Sequence, residues 1–211
     1  MRVRWHGHSC FEITNKITLV TDPHDGKSIG ISPLDVAGDI ILVSHDHYDH
    51  NSVKSVEKEE SVVKMDEKEK TISDILIKGV KSFHDESGGA KRGMNIIYLF
   101  SMDDISFCHL GDLGHELGEN AIQQIGDVDV LFIPVGGNFT IDANKAWDVI
   151  NGIKPRIVVP MHYKIGGLSL PIAGIDPFLE KNRLKILKVG NEIDIEREDL
   201  PENSEVWVFT L

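Results

Sequence analysis

Along the chain, short apolar runs alternate with polar turns at a spacing that suits strands better than helices. Strand-like stretches fall near residues 2–6, 9–14, 17–21, 39–44, 61–65, 71–83, 94–101, 104–109, 129–134, 155–161, 184–189 and 205–210. Helical periodicity is rarer. After Asp142, an N-cap residue, Ala143, Ala146, Trp147 and Ile150 recur at i, i+3, i+4 and i+7, and Pro155 lies beyond the end. Shorter helical patterns cover 119–125 and 175–182, and a short helix is expected from Asn51. Strands dominate the first half, whereas strands and helices alternate in the second. Runs such as Val130-Leu131-Phe132-Ile133 are apolar at every position, as in strands buried on both faces. Two packed sheets covered outside by helices satisfy this pattern.

No repeat, linker or low-complexity tract interrupts the 211 residues, so a single domain over 1–211 with a sizeable core is expected. The net charge of −12 disfavours a grip on a phosphate backbone, so nucleic acid is not an expected partner. No segment resembles a signal peptide or reaches membrane-spanning length. The two cysteines, Cys10 and Cys108, are too few for a disulfide framework, and a cytoplasmic setting is expected. Cys108 reads as a small buried thiol. The sequence leaves self-association open.

The chemistry concentrates in Ser44-His45-Asp46-His47-Tyr48-Asp49-His50, which follows the apolar run Ile40 to Val43. Imidazole and carboxylate suit Zn²⁺, Mn²⁺ or Fe. His45 and His47 can point the same way at strand spacing, while Asp49 and His50 point elsewhere and can hold a second ion. Three further candidates end strand-like runs: His84 after 77–83, Asp112 after 105–108, and His162 after 157–161. His109 is the competitor of His84. Strand alternation puts it on the apolar face of Ile105 and Phe107, so His84 is preferred.

This order, H-x-H-x-D-H, then His, then Gly-Asp, then His, resembles the metallo-β-lactamase fold superfamily over nearly the whole chain. Gly7-His8-Ser9, Thr21-Asp22-Pro23, His84-Asp85, Gly111-Asp112-Leu113-Gly114 and Pro160-Met161-His162 resemble its branch of ascorbate-6-phosphate lactonase-like proteins and metal-dependent hydrolases. The resemblance implies an α/β fold, a four-layer αββα sandwich of two mixed sheets, with the site at one edge. It implies two divalent ions, Zn²⁺ first and Mn²⁺ or Fe as alternatives. His45, His47 and His84 would hold one, Asp49, His50 and His162 the other, and Asp112 would bridge. A bridging hydroxide would attack the substrate, oriented by Asp49, so Asp49 and Asp112 are the expected catalytic residues. The expected substrate is small, a lactone or related ester, with an anionic group as an option that the basic loop below would meet. A phosphodiesterase is the second enzyme reading, and a metal-binding sensory or structural protein the non-enzyme one.

Other polar residues carry two readings each. Asp22 is either an acceptor that fixes a ligand imidazole or a turn aspartate before proline. Asp46 is a further outer-sphere candidate. His8 reads first as a satisfied strand histidine, with pocket lining as the alternative. His6, His24 and His115 match no ligand motif. Lys91 and Arg92 lie in the glycine-rich segment 87–93, either a solvated hairpin turn or a loop that meets an anionic group of the substrate. Val135-Gly136-Gly137-Asn138 is an anion-binding turn or merely a tight one.

Overall fold

The computed structural model describes residues 1–211. The first half builds β1 (Arg2–Trp5), β2 (Phe11–Thr14), β3 (Thr18–Thr21), β4 (Gly38–Leu42), β5 (Glu57–Lys64), β6 (Lys70–Ile72), β7 (Ile75–Phe83), β8 (Met94–Met102) and β9 (Ile105–His109). The second half alternates α1 (Glu119–Ile125), β10 (Val130–Pro134), α2 (Ala143–Ile153), β11 (Ile157–Met161), α3 (Asp176–Glu180), β12 (Lys185–Lys188), β13 (Glu192–Asp194) and β14 (Glu205–Val208). Two mixed sheets result, ordered β13-β1-β2-β3-β4-β5 and β12-β14-β11-β10-β9-β8-β7-β6. Parallel neighbours such as β9, β10 and β11 need crossovers, which α1 and α2 supply.

The main core lies between the sheets. Leu19, Ile40 and Leu42 point into it, while Val20, Ile41 and Val43, one residue on, pack on the opposite face with Val56, Leu34 and Val36. That alternation explains why these strands are apolar at successive positions. Helix α2 begins at Asp142, whose carboxylate accepts from the Asn144 and Lys145 N–H groups at 2.9 and 3.1 Å. Its buried stripe is Ala143, Ala146, Val149, Ile150 and Ile153.

Several expected boundaries shift. The run 71–83 is a hairpin, because Ser73 and Asp74 take left-handed conformations (φ 50° and 65°) and reverse the chain between β6 and β7. The helix expected from Asn51 is a single 3₁₀ turn, Val53–Ser55, and the Ser52 side chain before it makes no capping hydrogen bond. Strand β5 starts four residues earlier than 61, in an exposed charged stretch. Strand β13, which pairs with β1, is short and polar, with no apolar alternation to mark it. No helix is long and apolar enough to cross a membrane.

Candidate metal centre

The site collects where β4, β7, β9 and β11 end. After β4 the histidine-rich run curls into one turn: the His45 carbonyl accepts from His47 N–H at 3.1 Å, and the His47 carbonyl from His50 N–H at 3.0 Å. His45 and His50 are thereby aimed inward, and His47 stays at the rim, half-buried.

Asp112 is the hub. Its Oδ2 lies 3.1 Å from His162 Nε2, 3.2 Å from His84 Nε2, 3.3 Å from His50 Nε2 and 3.9 Å from His45 Nε2. His45, His47 and His84 bring ligand atoms within 4.8 Å of one another, and Asp49, His50, His162 and His8 form a second such group. The donor set itself suits cations. His45 Nε2 and Asp112 Oδ1 are buried with no hydrogen-bond partner, a costly state that a bound metal would relieve. No cysteine enters, so the donors are all nitrogen and oxygen.

Asp22 sets the ring tautomers. His50 Nδ1–H donates to Asp22 Oδ2 at 3.0 Å. Ser44 Oγ–H donates to the same oxygen at 2.7 Å, and His45 Nδ1–H donates to Ser44 Oγ at 2.9 Å. With a single proton on each ring, both imidazoles would turn their Nε2 lone pairs toward Asp112.

Charge is concentrated here. Burial alone would raise the Asp112 carboxyl, but His162 and His50 beside it hold it well below the usual carboxylate range. Burial would likewise raise Asp49, and hydrogen bonds with His50 and His8 overcome it and push it far down. Burial lowers His50, yet Asp112, Asp22 and Asp49 raise it well above the ordinary histidine value. The field that holds a proton there also favours a divalent cation, which would displace it. His45 is pushed down to about 3, chiefly by burial and then by His50.

Some supports were not legible in advance. Asn95, fully buried in β8, accepts from Asp112 N–H at 2.9 Å and donates to the Leu110 carbonyl at 2.9 Å, fixing the loop that carries Asp112. A polar residue directly before the run Ile96-Ile97-Tyr98-Leu99-Phe100 was the available signal. Gly114 lies against His84: a Cβ there would stand 2.2 Å from the His84 carbonyl carbon. Gly136 does the same behind His162, 2.1 Å from its carbonyl oxygen, so the glycine turn after β10 is required by close packing.

The remaining candidates separate clearly. His109 donates from Nε2 to the Ser9 carbonyl at 3.0 Å and accepts from Gly111 N–H at 3.2 Å, so it shapes the Asp112 loop without joining either group. Asp46, expected near the ligands, instead points outward and bonds Asn51 Nδ2 at 2.7 Å, because the turn that buries His45 exposes its neighbour. His8 is not in a strand. It occupies a left-handed turn after β1 (φ 54°), and its Nε2 lies 3.2 Å from Asp49 Oδ2. His6 pairs with Glu12, His24 with the His6 carbonyl, and His115 with Phe83 N–H, all apart from the two groups. In the 87–93 loop, the Asp85 carboxylate accepts from the N–H groups of Ser87, Gly89, Lys91 and Arg92, which gives the loop one defined shape. Arg92 stacks its guanidinium over Phe139, 4.2 Å from the ring centre. Lys91 and Arg92 line a cavity of about 320 Å³ shared with His84 and Lys145.

A profile of the β-lactamase superfamily domain matches residues 2–162. The chain belongs to this family. It is similar to a structure from Thermotoga maritima, a candidate Zn-dependent hydrolase of the metallo-β-lactamase superfamily, at 32% identity and a TM-score of 0.81, covering 99% of this chain and 97% of that one. A UPF0173 metal-dependent hydrolase of Thermoplasma acidophilum is 28% identical over 77% of this chain and 83% of its own. Another, from Thermococcus kodakarensis, is 26% identical over 92% of this chain and its full length. The two mixed sheets with their flanking helices are the fold of this superfamily.

Proposed function

We propose that the protein is a metal-dependent hydrolase that uses two divalent ions on a small anionic substrate. His45, His47 and His84 would hold one ion, Asp49, His50 and His162 the other, and Asp112 would join both. The observation that carries this is the convergence of four imidazole Nε2 atoms on Asp112 Oδ2, within 3.9 Å, while Oδ1 stays buried and unpartnered. An open three-ligand set and a shared carboxylate fit catalysis better than a closed four-ligand structural site.

Such ions polarise a carbonyl or phosphoryl oxygen and supply a nucleophile at neutral pH. The chain's own groups do the rest. Asp49, held ionised, accepts a hydrogen bond from the attacking water and orients it; its depressed pKa suits that task better than storing a proton. Asp22 and Ser44 keep the His45 and His50 lone pairs inward. Arg92 and Lys91 line the cavity beside His84 together with Asp85, Glu86, Asp142 and Lys145, and they are the groups there that would meet a carboxylate or phosphate of the substrate. The all nitrogen and oxygen donor set accepts Zn²⁺, Mn²⁺ or Fe. A lactone or related ester fits a site with no protein nucleophile.

A screen of lactones, carboxylic esters and phosphodiesters with metal-reconstituted protein tests this reading. Turnover of at least one class, abolished by chelation and restored by metal, is expected. Turnover that survives thorough chelation contradicts it.

A further inference from the structure

His8 lies outside the seven residues assigned above, yet its ring sits within the same cluster. We propose that His8, through Nε2, is a direct ligand of the ion assigned to Asp49, His50 and His162, an inference that rests on the two-ion reading. His8 Nε2 is 3.1 Å from His50 Nε2 and 3.2 Å from Asp49 Oδ2. Donors bound at about 2.1 Å to one ion stand roughly 3.0–3.4 Å apart along the edges of an octahedron or tetrahedron. The observed spacings are those of neighbouring donors on one ion.

Hydrogen bonding alone leaves the group poorly satisfied. His50 commits its Nδ1–H to Asp22, so once a cation displaces the second proton held on this ring, its Nε2 faces His8 as a lone pair. Asp49 brings a carboxylate oxygen to the same point. One imidazole proton cannot serve both acceptors well, whereas a divalent cation serves all three. His8 is 0% exposed and its Nδ1 has no partner, the same pattern as in His84 and His162, which also aim Nε2 inward.

The backbone holds this arrangement at a conformational penalty. His8 and His162 both lie in the left-handed region, at φ 54° and 52°. They are tied together, since His162 N–H donates to the His8 carbonyl at 3.1 Å and the ring centres lie 4.2 Å apart, tilted by 40°. Trp5 Nε1–H donates to that carbonyl too, at 3.2 Å. Two neighbouring strained histidines, each presenting Nε2 to one point, mark a built ligand pair.

Metal-depleted wild type, His8→Ala and His8→Gln should each be titrated with Co²⁺, followed by calorimetry and visible absorption, and Zn²⁺-loaded wild type should be crystallised. Wild type should take up two ions. In both variants one binding step should weaken by about 100-fold or more, beyond the range for losing an outer-sphere partner, and its absorption band should change. The other step should be retained, which also reports an intact fold. The crystal should place His8 Nε2 about 2.0–2.2 Å from an ion. Two wild-type binding steps with unchanged spectra in His8→Ala, or full rescue by His8→Gln, would overturn the assignment and leave the two-ion reading standing. So would a crystal in which His8 only hydrogen-bonds Asp49. If His8→Ala fails to fold, His8→Gln and the crystal distance decide. Uptake of a single ion by wild type overturns the two-ion reading instead, and the His8 assignment then fails unless His8→Ala weakens that ion.

Discussion

Asp22 Oδ2 accepts hydrogen bonds from both His50 Nδ1, at 3.0 Å, and Ser44 Oγ, at 2.7 Å. One buried oxygen therefore orients His50 directly and His45 through Ser44. Asp22→Asn removes the charge and offers an amide that can face His50 with N–H, which disfavours the productive tautomer. Metal affinity should fall about 10–100-fold in a competition titration against a chelator, with the fold retained. Unchanged affinity would mean that Asp22 is only a turn residue.

Gly114 has no room for a side chain, because a Cβ would meet the His84 carbonyl carbon at 2.2 Å and Asp85 N at 2.4 Å. Gly114→Ala should push His84 out of line and weaken the ion assigned to His45, His47 and His84. It should also lower the thermal midpoint, since the contact atoms are backbone and cannot swing aside. Full metal content in this variant would show that the His84 loop yields without consequence.

The metal-free fold should lose stability as pH falls from about 6.5 to about 4. His8 is pushed down to about 3, chiefly by burial and then by His162, His45 to about 3 and His24 to about 4, each chiefly by burial. The unfolded chain takes up these protons near 6.5, the folded chain does not, and the difference favours unfolding. Each ring contributes up to about 1.4 kcal/mol per pH unit in that window. His50, raised, gives its full stabilisation below 6.5 and adds no slope there. Thermal midpoints of chelator-treated protein between pH 7 and 5 check this; a flat profile contradicts the burial of neutral imidazoles.

Arg92 lies over the Phe139 ring and lines the cavity beside His84. A charge-assisted contact to a substrate anion is worth about 1.5–3 kcal/mol, so Arg92→Ala should raise KM about tenfold or more for a substrate carrying a carboxylate or phosphate. A neutral analogue should be unaffected. Equal effects on both would remove Arg92 from substrate recognition.

The histidine-rich run, His84, Asp112 and His162 were legible in the sequence because strand ends announce themselves locally, by an apolar run that stops. What was hidden depends on segments distant in the chain. Ser44 matters because Asp22, just past the end of the neighbouring strand β3, meets it; Gly114 matters because His84 passes behind it. His8 reads as a strand residue until Gly7 and His8, at φ 93° and 54°, turn the chain between β1 and β2. The Ser73-Asp74 hairpin was missed for a similar reason, since its two left-handed residues interrupt an apolar run without glycine or proline.

The central claim is that Asp112 joins two ions. Elemental analysis of metal-saturated, desalted protein beside Asp112→Ala tests it most directly. Wild type should hold two divalent ions per chain, and Asp112→Ala should lose affinity for both, because the Asp112 Oδ2 lies within 3.9 Å of histidines from both groups. One ion per chain in wild type, or two tightly held ions in Asp112→Ala, would contradict the account.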